Sequence, residues 1–227
     1  MNVLIVVPHP DDEVLGCGGS IARHIEQGDT VSILILAEGI TSRADSRELG
    51  MDPKRLEALR RATLKASKIL GVKDTVLHNF PDNRMDSLPL LDVIKVVEKH
   101  VKRLQPSVVY TTFSGDVNID HQICFRAVVT ACRPQPGMSV TTLLTCETLS
   151  STEWQPSVGC TQFSPNFFID IGATLSIKLK ALEAYQTELR EWPHPRSISA
   201  VENLAKYRGS SVGIHAAEAF MLARCIY

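Results

Sequence analysis

The 227-residue chain is 44% hydrophobic and 22% charged, the balance of an ordinary globular protein long enough to bury a substantial core. Its net charge of -1 excludes a general electrostatic attraction to nucleic acid or anionic membranes. Its longest apolar runs are strand-sized and Met1 leads directly into one, so a single domain over residues 1–227 is expected, cytoplasmic, with no signal peptide and no membrane insertion.

Residues 3–7 form a continuous apolar run, the pattern of a strand buried on both faces. Pro8 and Pro10 cannot donate to a sheet ladder and end it. His9, Asp11, Asp12 and Glu13 follow at once, then a Gly-rich turn over residues 16–19 and an apolar helix over residues 21–27. In an open α/β sheet, ligands bind in the crevice outside the carboxyl ends of strands. Crowded carboxylates raise one another's pKa, whereas a divalent metal among them keeps the ligating group ionised. Zinc suits a His/Asp donor set, and a catalytic zinc commonly has three protein ligands and an open water position. His9 and Asp12, three apart in a tight turn, can converge on one ion and leave Asp11 free to act as a base. A helix N-terminus merely rich in acids is the alternative, but it accounts for neither the prolines nor the histidine.

A second buried strand at residues 31–37 completes a strand–helix–strand unit and so implies a parallel sheet. The Gly16-x-Gly18-Gly19 stretch lacks the Gly-x-Gly-x-x-Gly spacing of a dinucleotide site. Residues 38–51 are polar and read as a lid or substrate loop, with Thr41, Ser42, Arg43 and Arg47 as candidate contacts, or simply as a solvated loop. Asp52 and Pro53 open a helix that Gly71 stops, with Leu56, Leu59, Thr63, Ala66 and Leu70 inward and a basic outer face. After a strand at residues 75–79, the polar loop 80–86 offers Asp82, Arg84 and Asp86 to a substrate. Helix 90–104 turns Leu91, Ile94, Val97, Val101 and Leu104 inward, and a strand at residues 108–111 follows.

Behind that strand stands a second chemical cluster, Asp116, Asn118, Asp120 and His121, at the same topological address as the first. Asp120 is placed to orient a histidine or a bound water from behind, as metal-bound imidazoles need. A helix at residues 123–133, strands at 141–145 and 166–171, and helices at 174–189 and 201–208 complete the reading. The helix over 174–189 turns Leu175, Leu179, Leu182 and Tyr185 inward. His194 and Arg196, held between or beside prolines, are candidates to reach a substrate pocket or a neighbouring subunit. Cys17, Cys124, Cys132, Cys146, Cys160 and Cys225 show no short paired spacing, so reduced, mostly buried thiols are expected.

The stretch Pro8-His9-Pro10-Asp11-Asp12-Glu13 resembles the signature of the LmbE-like, or PIG-L, family of zinc-dependent de-N-acetylases, whose members usually carry Ala where this chain has Pro8. Asp116-x-Asn118-x-Asp120-His121 resembles the family's second motif, commonly His-x-Asp-His, and the Pro-His-Pro-Arg-Ser and Ala-Glu-Ala-Phe stretches are similar to those that close many members. The resemblance implies a Rossmann-like three-layer α/β sandwich with a mainly parallel sheet. It implies one Zn2+ per chain on His9, Asp12 and His121, with Asp11 as general base. It also implies removal of an N-acetyl group from a small amino sugar or sugar conjugate, such as a sugar nucleotide or glycan precursor, and association into a homo-oligomer. The family often places an anion-contacting arginine on the helix after Pro53, which leaves Arg55, Arg60 and Arg61 open. Asn118 stands where the commoner motif has a histidine. Its amide does not titrate, so it supports an oxyanion by hydrogen bonding alone, and the leaving amine takes its proton from Asp11 or from a distant His194 or His215. The competing readings are a zinc amidase for another amide conjugate and a non-catalytic sugar- or nucleotide-binding module.

Overall fold

The residues from Val3 to Val7 are all buried, and they divide by parity. Val3, Ile5 and Val7 pack into one apolar cluster and Leu4 and Val6 into another, as the two-residue period of a strand covered on both faces requires. The computed structural model describes residues 1–158 and 162–227, so Cys160 lies outside the described residues. In chain order the elements are β1 (Asn2–Val7), α1 (Asp12–Glu26), β2 (Thr30–Ala37), α2 (Arg47–Gly50), α3 (Pro53–Leu70), β3 (Asp74–Phe80), α4 (Leu90–Leu104), β4 (Val108–Thr112), α5 (Ile119–Ala131), β5 (Thr142–Cys146), β6 (Phe167–Asp170), α6 (Leu175–Leu182), α7 (Ile198–Ser210) and β7 (Ala217–Cys225). The strands form one seven-stranded sheet in the order β3-β2-β1-β4-β5-β7-β6. β1 to β5 pair in parallel, and β7 runs antiparallel to both β5 and β6.

The cluster on one face takes its helical residues from α1, α3, α6 and α7, and that on the other face from α4 and α5. This is a three-layer α/β sandwich. The chain winds outward from β1 to β3, then crosses to β4 on the other side of β1. Connections leave in opposite directions between β1 and β4, which opens the switch-point crevice at their carboxyl ends.

The glycine run does not form the expected turn. α1 starts at Asp12 and continues through it, with one break at Cys17, whose φ is -149°. Glycine serves here for close approach: a Cβ on Gly19 would come within 2.8 Å of Ile171. A buried ion pair repairs the break. Glu218 accepts the N–H groups of Gly19 and Ser20 at 2.9 and 2.7 Å, and Lys178 donates to the carbonyl of Leu15 at 2.8 Å while pairing with Glu218 at 2.6 Å. Removing one partner of a buried pair strands the other's charge, at a cost of roughly 3–5 kcal/mol. Lys178→Ala should therefore lower the unfolding free energy by about that amount in a denaturant titration, and a loss typical of a surface lysine would contradict this role.

Other expectations shift for identifiable reasons. α5 begins at Ile119, not residue 123, because the Asn118 side chain accepts the Asp120 N–H at 2.9 Å and caps it there. α6 ends at Leu182, and the rest of the expected helix continues as turns with Tyr185 fully buried. Leu91 is 59% exposed, and Leu90 packs against the core in its place. β7 is not among the expected strands, since small alanines around the buried Glu218 hide its strand character. Cys17, Cys124, Cys132 and Cys146 are buried free thiols, and Cys225 is exposed. No helix among the described residues is long and apolar enough to cross a membrane.

Candidate metal centre and active site

The carbonyl of Pro8 still accepts from Ala37 at 2.8 Å, so the sheet holds the chain up to the residue before His9. Pro10 then packs on Gly39, where a Cβ would lie 2.7 Å from the proline ring and where φ is +76°. These contacts fix the turn that carries His9, Asp11 and Asp12. The His9 N–H donates to Asp12 Oδ2 at 3.0 Å, and His9 Nδ1 lies 3.2 Å from the same oxygen. From the neighbouring strand end, Thr112 bonds the carbonyl of His121 at 2.9 Å and anchors the first turn of α5. His121 Nε2 comes to 3.3 Å from Asp12 Oδ2.

The donor atoms of His9, Asp12 and His121 all lie within 4.8 Å of one another, and all three residues are buried. Asp12 Oδ1 is buried with no hydrogen-bond partner, which is costly for a carboxylate unless something else satisfies it. Each imidazole has a carboxylate behind it. His9 Nε2 bonds Asp120 at 3.0 Å, and Asp116 lies 3.2 Å from His121 Nδ1 without hydrogen-bond alignment. The inner ring nitrogens thus face Asp12, and the set fits a zinc ion bound by two nitrogens and a carboxylate with support from behind. A second grouping, His9 with Asp82 and Asp120, surrounds the outer nitrogen of His9. There the Asp120 oxygens already accept the N–H groups of Asn83 and Met85 at 2.7 and 2.9 Å, so the first grouping suits an ion better.

The electrostatics without an ion show the same crowding. Burial by itself would lower the His121 pKa, but the carboxylates of Asp12 and Asp116 beside the ring outweigh it and push it up to about 9. His9 is likewise raised, its burial outweighed by Asp12 and Asp120. Asp12, despite burial, is held far below the usual carboxylate range by His121 and His9. Asp11 behaves oppositely: burial raises it to about 7, although Arg196 pulls the other way.

Asp11 is 2% exposed and adopts a φ of 106°. Its Oδ2 accepts from Arg196 Nη1 at 3.0 Å, and Arg196 is braced through Nε on Ser150 at 2.6 Å. Beside it opens a cleft lined in part by His9, Asp82, Asn118, Arg43, His194 and Arg196. Arg84 and Asp86 do not line it: Arg84 ties down the loop over 38–50 by bonding the carbonyl of Ala44 at 2.9 Å, and Asp86 is exposed. That loop is pinned again where the Ser42 N–H meets Asp82 at 3.0 Å and Arg47 meets Glu38 at 3.2 Å. His215 is exposed and does not line the cleft. Of the three open arginines Arg55 lines it, and Arg60 and Arg61 do not. Trp154, Glu188 and Arg190 line the cleft without having been anticipated. They sit in the irregular segments after β5 and α6, where sequence pattern carries no directional signal.

A doubly wound sheet with a His–Asp–His cluster and a separate carboxylate at its switch point defines a candidate metallohydrolase. The chain belongs to the PIG-L family, described as GlcNAc-PI de-N-acetylase, which matches residues 4–132. It is 33% identical over 140 residues to an uncharacterized deacetylase, YaiS, of Escherichia coli K12, covering 60% of this chain and 70% of that protein. It is 32% identical over 132 residues to a probable N-acetyl-alpha-D-glucosaminyl L-malate deacetylase of Bacillus anthracis, covering 57% of this chain and 58% of the relative. Among solved structures, the conserved protein TT1542 of Thermus thermophilus superposes with a TM-score of 0.76 at 27% identity, over 99% of this chain and 96% of that one.

Proposed function

We propose that the chain is a zinc-dependent N-deacetylase that hydrolyses the acetamide of a small amino sugar or sugar conjugate to a free amine and acetate. The observation that carries this reading is the buried carboxylate of Asp11, kept off the His9, Asp12 and His121 cluster and held at the cleft by Arg196. A binding module has no use for such a group. The family description and the deacetylase relatives support the acyl group and the sugar. The cleft volume of about 250 Å³ falls below the roughly 300–1,000 Å³ of clefts for drug-sized ligands, which favours one sugar ring at the reacting end.

A zinc ion on the three residues would supply Lewis acidity, polarising the amide carbonyl and lowering the pKa of a water. Asp11 takes a proton from the attacking water as the water oxygen bonds to the acetyl carbon. Arg196 fixes the direction of the accepting carboxylate. The Oδ1 of Asn118 is committed to capping α5, which leaves its amide N–H groups to donate to the developing oxyanion. The C–N bond then breaks, and Asp11 returns the proton to the leaving nitrogen. His194 accepts the Arg196 N–H through Nδ1 at 3.0 Å and packs edge-on against Trp154, so its part is to shape the cleft. The test is a panel including N-acetylglucosamine and N,N′-diacetylchitobiose, with acetate and amine both quantified. Equal release of the two by zinc-loaded protein is expected, and an absence of acetate from every acetylated sugar offered would overturn the reading.

A further inference from the structure

An aspartate at a helix N-cap ordinarily folds its carboxylate back onto the free N–H groups of the first turn. Asp11 holds that position on α1 and makes no such bond. Its φ of 106° lies in the left-handed region, which is strained for a residue other than glycine and persists only where surroundings enforce it. Arg196 accounts for the direction of the carboxylate but not for the backbone.

The backbone is held by a pair of residues that the mechanism does not use. The Asp11 N–H donates to Glu13 Oε2 at 3.0 Å, and Glu13 Oε1 accepts the Tyr185 hydroxyl at 2.5 Å. Glu13 reaches back from the second helical position to the N-cap N–H, the reciprocal half of a capping box without its usual partner. Both side chains are 0% exposed, and neither lines the cleft. A carboxyl and a phenol placed together in the core are expensive to bury, and the hydrogen bond that ties the pair to the chemistry is the one from the Asp11 N–H.

We propose that Glu13 and Tyr185 form a positioning device for the base: together they lock the Asp11 backbone in the conformation that sends its carboxylate into the cleft. This rests on the deacetylase reading with Asp11 as base. Without the pair, Asp11 relaxes to ordinary N-cap geometry, and its carboxylate turns onto the first-turn amides of α1.

The test measures kcat, KM and zinc content, with the acetylated sugar turned over fastest in the panel, for Glu13→Ala, Glu13→Gln and Tyr185→Phe. Glu13→Ala is also combined with Asp11→Asn. A misplacement of about 1 Å can cost about 10²-fold in rate, so Glu13→Ala should lower kcat by up to that factor with KM and zinc content unchanged. Glu13→Gln keeps an oxygen for the Asp11 N–H and an amide for the Tyr185 oxygen, so it should recover most of the turnover. In the Asp11→Asn background, Glu13→Ala should have little further effect. An equal loss in both backgrounds, or loss of zinc along with turnover, would overturn the proposal. If Glu13→Ala fails to fold, Tyr185→Phe decides: a smaller fall in kcat alone is expected, and an unchanged kcat counts against the pair. Full turnover by Asp11→Asn alone would instead sink the base assignment, a failure recognisable without any Glu13 variant.

Discussion

His121→Ala and Asp12→Ala proteins should lose bound metal and deacetylation together. Each removes one donor from a cluster whose atoms span no more than 4.8 Å, and two donors fall short of the three protein ligands of a catalytic zinc site. Lewis-acid stabilisation of developing charge is worth several kcal/mol, and each 1.36 kcal/mol is a factor of about ten. A fall of at least about 10³ in turnover is therefore expected. The sign of the pH effect follows from the raised pKa values of His9 and His121. The carboxylates around both imidazoles favour their protonated forms in the metal-free chain, so metal uptake must expel those protons and affinity weakens as pH falls. Metal content after dialysis, read beside circular dichroism, checks the first point. A folded His121→Ala protein with full zinc occupancy would contradict it.

Asp11→Asn should keep its metal and lose about 10²–10⁴ in turnover, the usual range for a general base. Asparagine tolerates positive φ better than most residues, and its oxygen can still accept from Arg196, so the substitution removes the proton acceptor with little else disturbed. The contrast with the ligand substitutions is the point: both kinds silence the enzyme, but only the ligand changes empty the metal site. Full activity in zinc-loaded Asp11→Asn would remove this residue from the mechanism.

The inner part of the site was legible because its chemistry is local in sequence. An unbroken apolar run, two prolines and a histidine at the strand end announce a crevice, and the same address recurs after β4 with His121. Parallel pairing of β1 with β4 then brings the two strand ends side by side. The outer wall was not legible. Arg196 reads in the sequence as a substrate contact, yet it grips Asp11 across 185 positions, a contact that no local pattern encodes. Glu13 looks like one more acid favouring a helix dipole, since its partner Tyr185 lies 172 positions away. The glycines of α1 mislead for a related reason. A sequence shows that they lack side chains, but not that Glu218 and Lys178 arrive from elsewhere to mend a helix broken at Cys17.

The central claim is that one ion sits among His9, Asp12 and His121 while Asp11 stays free. Anomalous diffraction at the zinc edge from crystals of the zinc-loaded chain tests it most directly. A single peak per chain bonded to those three residues, with no bond to Asp11, is the predicted result. A peak on the other side of His9, between Asp82 and Asp120, or one ligated by Asp11, would contradict the account.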